Sequence, residues 1–188
     1  MTALATEIPG YLTGTWTIDP SHSNVTFSIR HMMVSKVRGS FGEFSGSIVT
    51  ADSLTDSSVS AEILMNSIDT NNEQRDGHLR SNDFFDIENH PTMTYSSTSI
   101  RQDGEDFVVD GELTLRGVTR QVPLTLAITG FGPDSYGGTR VGFEASAEIA
   151  RQDFGVSWNA ALETGGAVVS DKVTIELDIQ AVLEVPQA

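Results

Sequence analysis

Cysteine is absent from all 188 positions, which excludes disulfide staples and thiolate chemistry and is compatible with a reducing compartment. Cations are scarce: 11 Lys and Arg stand against 26 Asp and Glu, a formal net charge of −15. Nucleic-acid binding requires Lys and Arg to neutralise phosphates, so this balance argues against it. Docking on an anionic membrane surface is disfavoured on the same count. The purely apolar runs are only a few residues long, too short for a membrane-spanning helix. Residues Met1–Gly14 lack the basic start and apolar core of an export signal, and a cytoplasmic address is expected. The remainder fits a soluble globular protein, at 38% hydrophobic residues and mean hydropathy −0.13. The length suits one domain, read as a tail and short helical turn over 1–13 and a single barrel domain over 14–188.

What the chain does have is alternation. From Asn24 to Arg30, Val25, Phe27 and Ile29 share one face while Thr26, Ser28 and Arg30 share the other. Val37–Thr50 reads as one long strand in which Gly39, Gly42 and Gly46 mark bulges or coiling. Val59, Ala61, Ile63 and Met65 continue the pattern, followed by strands over Thr92–Arg101 and Phe107–Leu115. Val122, Leu124, Leu126 and Ile128 come next, then Val141, Phe143, Ala145, Ala147 and Ile149. The cleanest strand is Val173–Val185, 13 residues with an apolar side chain at every second position. At roughly 3.3 Å per residue it spans about 40 Å. About eight strands joined mostly by hairpins predict an all-β, antiparallel eight-stranded barrel, whose interior holds packed side chains or one small ligand. A long, apolar-lined barrel suits a chain-shaped guest; a filled core is the alternative.

The alternation stops between Ser67 and Pro91. Thr70-x-x-Glu73 has the form of a capping box, and Ser81-Asn82-Asp83 starts a second short turn. Leu79, Phe84 and Phe85 are then directed inward, and Pro91 releases the next strand. This predicts a short helical plug at one barrel end. His31–Val34 also breaks the pattern and reads as a lip between strands.

Candidate chemistry is sparse. The histidines His22, His31, His78 and His90 match no zinc spacing, so no metal or cofactor is expected. Asp19-Pro20-Ser21-His22 reads as a turn whose imidazole bonds a local group. Arg75-Asp76-x-His78 is the most enzyme-like cluster. Only Arg75 and His78 are spaced to meet on a helix, and an ion pair tying plug to barrel is the expected role. No nucleophile elbow or phosphate loop is present. Arg30, Arg38, Arg80, Arg116 and Arg151 fall at strand ends or in the plug, and are candidates to meet an anionic head group at the barrel mouth.

One set of motifs runs through nearly the whole chain. It begins with Trp16-x-Ile18-Asp19-x-x-His22-Ser23-x-Val25-x-Phe27 and Val37-x-Gly39-x-Phe41-x-x-Phe44-x-Gly46. It continues with Ser67-Ile68-x-Thr70, Arg75-Asp76-x-His78-Leu79, Asp83-Phe84-Phe85-Asp86 and Pro91. Gly111-x-Leu113-Thr114-Leu115-x-Gly117-Val118-Thr119, Arg151-x-Asp153-Phe154-Gly155 and Asp171-x-Val173-x-Ile175 complete it. In these motifs the sequence resembles the YceI-like family, lipocalin-like barrels that bind polyisoprenoids and other long-chain amphiphiles. The resemblance implies a lumen that takes an isoprenoid tail, often in a homodimer, and implicates no catalytic residues. Many relatives carry an export signal, which departs from the reading of Met1–Gly14 above.

Taken with the alternating faces, the strand candidates for lining the lumen are Val25, Phe27, Ile29, Phe44, Ile63, Phe143, Ala145, Ile175 and Leu177. Leu79, Phe84 and Phe85 join them from the plug, and Met33, Met65 and Phe154 from the segments between. Met32, Met33, Met65 and Met93 offer adaptable surface for an irregular tail. The resulting expectation is non-enzymatic binding, sequestration or transport of a polyisoprenoid or similar amphiphile. Two alternatives stand beside it. One is a lipid-acting enzyme using His22 or His78 with Asp19 or Asp76; the other is a stress-related scaffold with a filled core.

Overall fold

The computed structural model of the chain describes residues 8–32, 34–160 and 168–185. Nearly every alternating stretch is a strand: β1 (Gly14–Ile18), β2 (Asn24–His31), β3 (Ser35–Phe41), β4 (Phe44–Thr50), β5 (Ser58–Leu64) and the two-residue β6 (Ile68–Asp69). The helix α1 (Glu73–Arg80) follows, and then β7 (Thr92–Asp103), β8 (Asp106–Leu115), β9 (Val118–Gln121), β10 (Leu124–Pro133), β11 (Thr139–Ala150) and β12 (Val169–Leu183).

Pairing is antiparallel in the order β1-β4-β5-β7-β8-β10-β11-β12, and β1 returns to β12 through Trp16 opposite Leu183. β2 pairs with the first half of β12, Val25 opposite Leu177, and β3 pairs with β2. Thus β1 and β2 run along β12 as one interrupted strand, and β3 and β4 make another. The segments close into an eight-stranded antiparallel barrel with a short helical plug. The expected single strand over Val37–Thr50 is broken at Gly42–Glu43. There the Gly42 amide leaves the ladder for the Ser67 carbonyl (3.3 Å), and the Glu43 carbonyl accepts from Leu64 (2.9 Å). The other break, Pro20–His22, is a 3-10 turn capped by Asp19, which accepts from the Ser21 amide at 3.0 Å and hydroxyl at 2.6 Å. Such interruptions let long strands coil around a narrow barrel.

The two barrel ends are built differently. Around Trp16, which has no exposed surface, Ile18, Ile48, Val141, Ile179 and Ala181 form a solid cluster. Trp16 Nε1 donates to Thr50 Oγ1 (2.8 Å), which donates to the Leu12 carbonyl (2.7 Å). The single turn at Ile8–Tyr11 lies over this end, with Tyr11 against Phe131 and Phe131 against Trp16.

The plug covers the opposite end. Its helix starts later than the capping-box spacing predicts: Asn72, not Thr70, is the N-cap, its Oδ1 accepting from the Arg75 amide (2.9 Å). Thr70 is committed elsewhere. Its amide and hydroxyl both donate to the buried Asp76 carboxylate, at 2.9 and 2.5 Å. After α1 the chain turns at Ser81–Phe84, and Leu79, Phe84 and Phe85 pack toward the barrel as expected.

Candidate functional site

Because β2 is bonded on both edges, its side-chain alternation is fixed. Ile29 lies opposite Val173 and Val37, and Phe27 opposite Ile175 and Gly39. The Phe27 ring occupies the space a side chain at position 39 would need, so this register requires glycine there. With Val25, these side chains form one wall of a cavity of about 240 Å³. Met65, Met93 and Leu115 contribute from the barrel, while Leu79, Phe84 and Phe85 close it from the plug. Thr26, Arg30, His31, Arg75, His78 and Arg151 bring polar side chains to a mainly apolar lining. The lumen is therefore open beneath the plug and solid around Trp16. Its open part is slightly below the roughly 300–1,000 Å³ of common ligand pockets.

Eight of the lumen candidates meet here: Val25, Phe27, Ile29, Met65, Leu79, Phe84, Phe85 and Ile175. Six do not line the cavity. Ile63 and Phe154 are buried in the core on the plug side, Phe44 packs between the two clusters, Phe143 and Leu177 pack against the Trp16 cluster, and Ala145 is buried in β11. Met33 lies outside the described residues. A strand's inward face continues past the point where the lumen fills, so periodicity alone does not divide these groups.

Trp158 carries no alternation signal and was not among the candidates. It lines the cavity with its ring edge-to-face on His78 (4.8 Å, 83°) and tilted against Phe84 (5.3 Å). Arg151 explains how it is held. Buried to 4% exposure, it donates from Nη1 to the Val156 and Trp158 carbonyls (2.9 Å each), from Nε to Ser170 (2.8 Å) and from Nη2 to Val169 (3.3 Å). Burial lowers its basicity, and its carbonyl partners make it a brace between Trp158 and β12. The other cations are similarly distinct. Arg80 reaches the Asn66 and Ile68 carbonyls, and Arg116 those of Gly155 and Asn82. Arg38 is exposed on the outer face of β3, away from the cavity. Arg30 borders the mouth and is exposed.

Arg75 and His78 both border the cavity but do not pair. Arg75 donates to the Thr70 hydroxyl (2.8 Å) and carbonyl (2.6 Å), whereas His78 Nε2 sits 2.8 Å from Asp83 Oδ2. Asp76, closed off by Thr70, is not the partner of His78. His22 does meet Asp19, but off the cavity, and Asp19 Oδ2 (2.7 Å) and Ser21 Oγ (3.3 Å) share the same ring nitrogen, so no relay crosses the imidazole. Bonds from Ser21, Arg140 and His22 hold the Asp19 carboxyl well below the usual range. Among the described residues no cluster of three or more His, Asp or Glu could hold a metal, and no helix is long and apolar enough to cross a membrane.

Comparison with known proteins gives a consistent picture. The family model described as the YceI-like domain matches residues 16–181. A UPF0312 protein of Photorhabdus laumondii is 41% identical over 138 residues, covering 73% of this chain and 72% of its own. A UPF0312 protein of Staphylococcus epidermidis is 38% identical over 160 residues, covering 84% and 91%. The Campylobacter jejuni YCEI protein superposes with TM-score 0.70 at 27% identity, over 84% of this chain and 91% of its own. A polyisoprenoid binding domain from Saccharophagus degradans, implicated in plant cell wall breakdown, shares the fold at TM-score 0.68 and 18% identity, over 92% of this chain and 100% of its own.

Proposed function

The chain belongs to the YceI-like family, and from that premise we propose that it binds a long-chain amphiphile of isoprenoid type without covalent chemistry. The apolar tail lies in the cavity beneath the plug, and the polar end faces Arg30, His31 and Arg75. The observation that carries this reading is the cavity itself, walled by Val25, Phe27, Ile29, Leu79, Phe84 and Ile175. The polyisoprenoid-binding neighbour with the same fold supports the guest class.

Affinity comes from burying the tail, about 0.8 kcal/mol per CH₂, reduced by the cost of ordering a flexible chain. The filled cluster around Trp16 limits how deep the tail reaches, so the proposal favours a guest whose far end stays near the mouth. Entry and release go through movement of the plug or the His31–Val34 lip.

Native mass spectrometry of the full chain, followed by organic extraction, tests this. The expected result is a co-purifying or loadable prenyl chain at near one per barrel; the same spectra read the homodimer that the resemblance implies. Bare protein that also resists loading with added polyprenols contradicts the proposal and points to a scaffold with no guest.

A further inference from the structure

The net charge of −15 is unevenly placed. From Arg30 to Gly42 there is no Asp or Glu, while Arg30, Lys36 and Arg38 are all basic. In the β2–β3 hairpin Arg30 lies directly opposite Lys36, and Ser28 opposite Arg38. Like charges facing across a strand pair are destabilising. Among the described residues none of these cations has an ion-pair partner. Asp69 and Glu176 face Lys36 and Arg38 only across an outer groove. At the tip of the same hairpin Val34 is 84% exposed, the largest value for a big apolar side chain among the described residues, and Met32 is 46% exposed. Met32 also stands at φ +53°, a backbone conformation uncommon for a non-glycine residue.

This tip adjoins the cavity mouth. Arg30 and His31 border the cavity, and the Met32 amide donates to the Val168 carbonyl (2.7 Å), itself part of the lining. Two apolar side chains are far less than the roughly 800 Å² per partner of a stable protein interface. Exposed apolar side chains at a hairpin tip, with cations on the strands directly behind them, are instead the pattern of a segment that lies in an anionic lipid interface. At physiological salt, charges beyond about 8 Å are largely screened, so the face presented to the surface outweighs the total charge.

We infer that the β2–β3 tip docks this protein on an anionic lipid surface, Met32 and Val34 entering the headgroup layer while Arg30, Lys36 and Arg38 meet lipid phosphates. Docking stands on the tip alone. Its use, passing a guest between bilayer and cavity without crossing water, rests on the function proposed above.

Co-sedimentation of the full chain with vesicles tests it, using phosphatidylcholine alone and phosphatidylcholine mixed with an equal part of phosphatidylglycerol. Binding is expected only to the anionic mixture and is expected to fall as salt rises. The K36Q/R38Q variant weakens it about thirtyfold, since each cation near the surface is worth about fivefold. M32S/V34S weakens it at every salt concentration. Both variants keep their circular dichroism spectrum, and K36Q/R38Q, whose two positions lie off the cavity lining, loads guest from solution like the parent. Absence of binding to anionic vesicles, or binding that both variants retain, overturns the inference. A protein that binds vesicles yet takes no guest leaves docking standing and removes the proposed function instead.

Discussion

His78 on the plug and Trp158 beyond β11 pack edge to face, 4.8 Å apart at 83°. Two pieces of chain about eighty residues apart in sequence thereby meet over the cavity, and Phe84 completes the aromatic group. The contact makes plug position and cavity wall one unit.

Replacing Trp158 with Ala separates them. Trp158 is only half-buried, so the loss is about 1–3 kcal/mol, below that of a fully buried Trp. Chemical denaturation reads this, and guest dissociation from W158A is expected to be faster than from the parent.

Arg151 and Arg30 behave oppositely on substitution. Arg151→Met removes a donor from four carbonyls, of which only Val169 keeps a second side-chain bond, from Asn159 Nδ2 (2.7 Å), and costs about 3 kcal/mol or more. Arg30→Gln, at an exposed position, changes stability by less than about 0.5 kcal/mol. It weakens anionic amphiphiles relative to neutral ones in a competition assay.

Much of this is legible in the sequence. Alternation assigned the Val25–Phe27–Ile29 face and the run through Ile175, and its interruption located the plug with Leu79, Phe84 and Phe85. The open half of the lumen was not legible, because Phe143 and Leu177 have the same inward period as Ile175 yet meet Trp16 packing at their level. Trp158 sits in a stretch without period, and only its aromatic character near the Arg151-x-Asp153-Phe154-Gly155 motif could have drawn attention to it. The helix start shifted because Asp76 captures Thr70, a tertiary bond that local capping rules do not contain.

Asp19 sets an acid limit on the barrel. Its carboxyl is lowered in the folded chain, first by Ser21 and then by Arg140 and His22. A depressed carboxyl contributes stability above its unfolded pKa, about 3.9, and loses it as pH falls toward the folded value. Asp19→Asn is therefore less stable than the parent at pH 7. In denaturant titrations across pH the gap narrows only below about pH 4.

The two halves of the lumen are separable by substitution. Ile29→Trp fills the open half, costs about 1–3 kcal/mol from overpacking and removes guest binding. Ile179→Ala hollows the solid half, costs about 2–5 kcal/mol and leaves binding intact below its melting temperature.

The most direct measurement is native mass spectrometry of the parent, I29W and I179A after equal exposure to a polyprenol. The account predicts near one guest per barrel for the parent and I179A, and none for folded I29W. A bare parent, or an I29W protein as fully loaded as the parent, would contradict the cavity beneath the plug as the binding site.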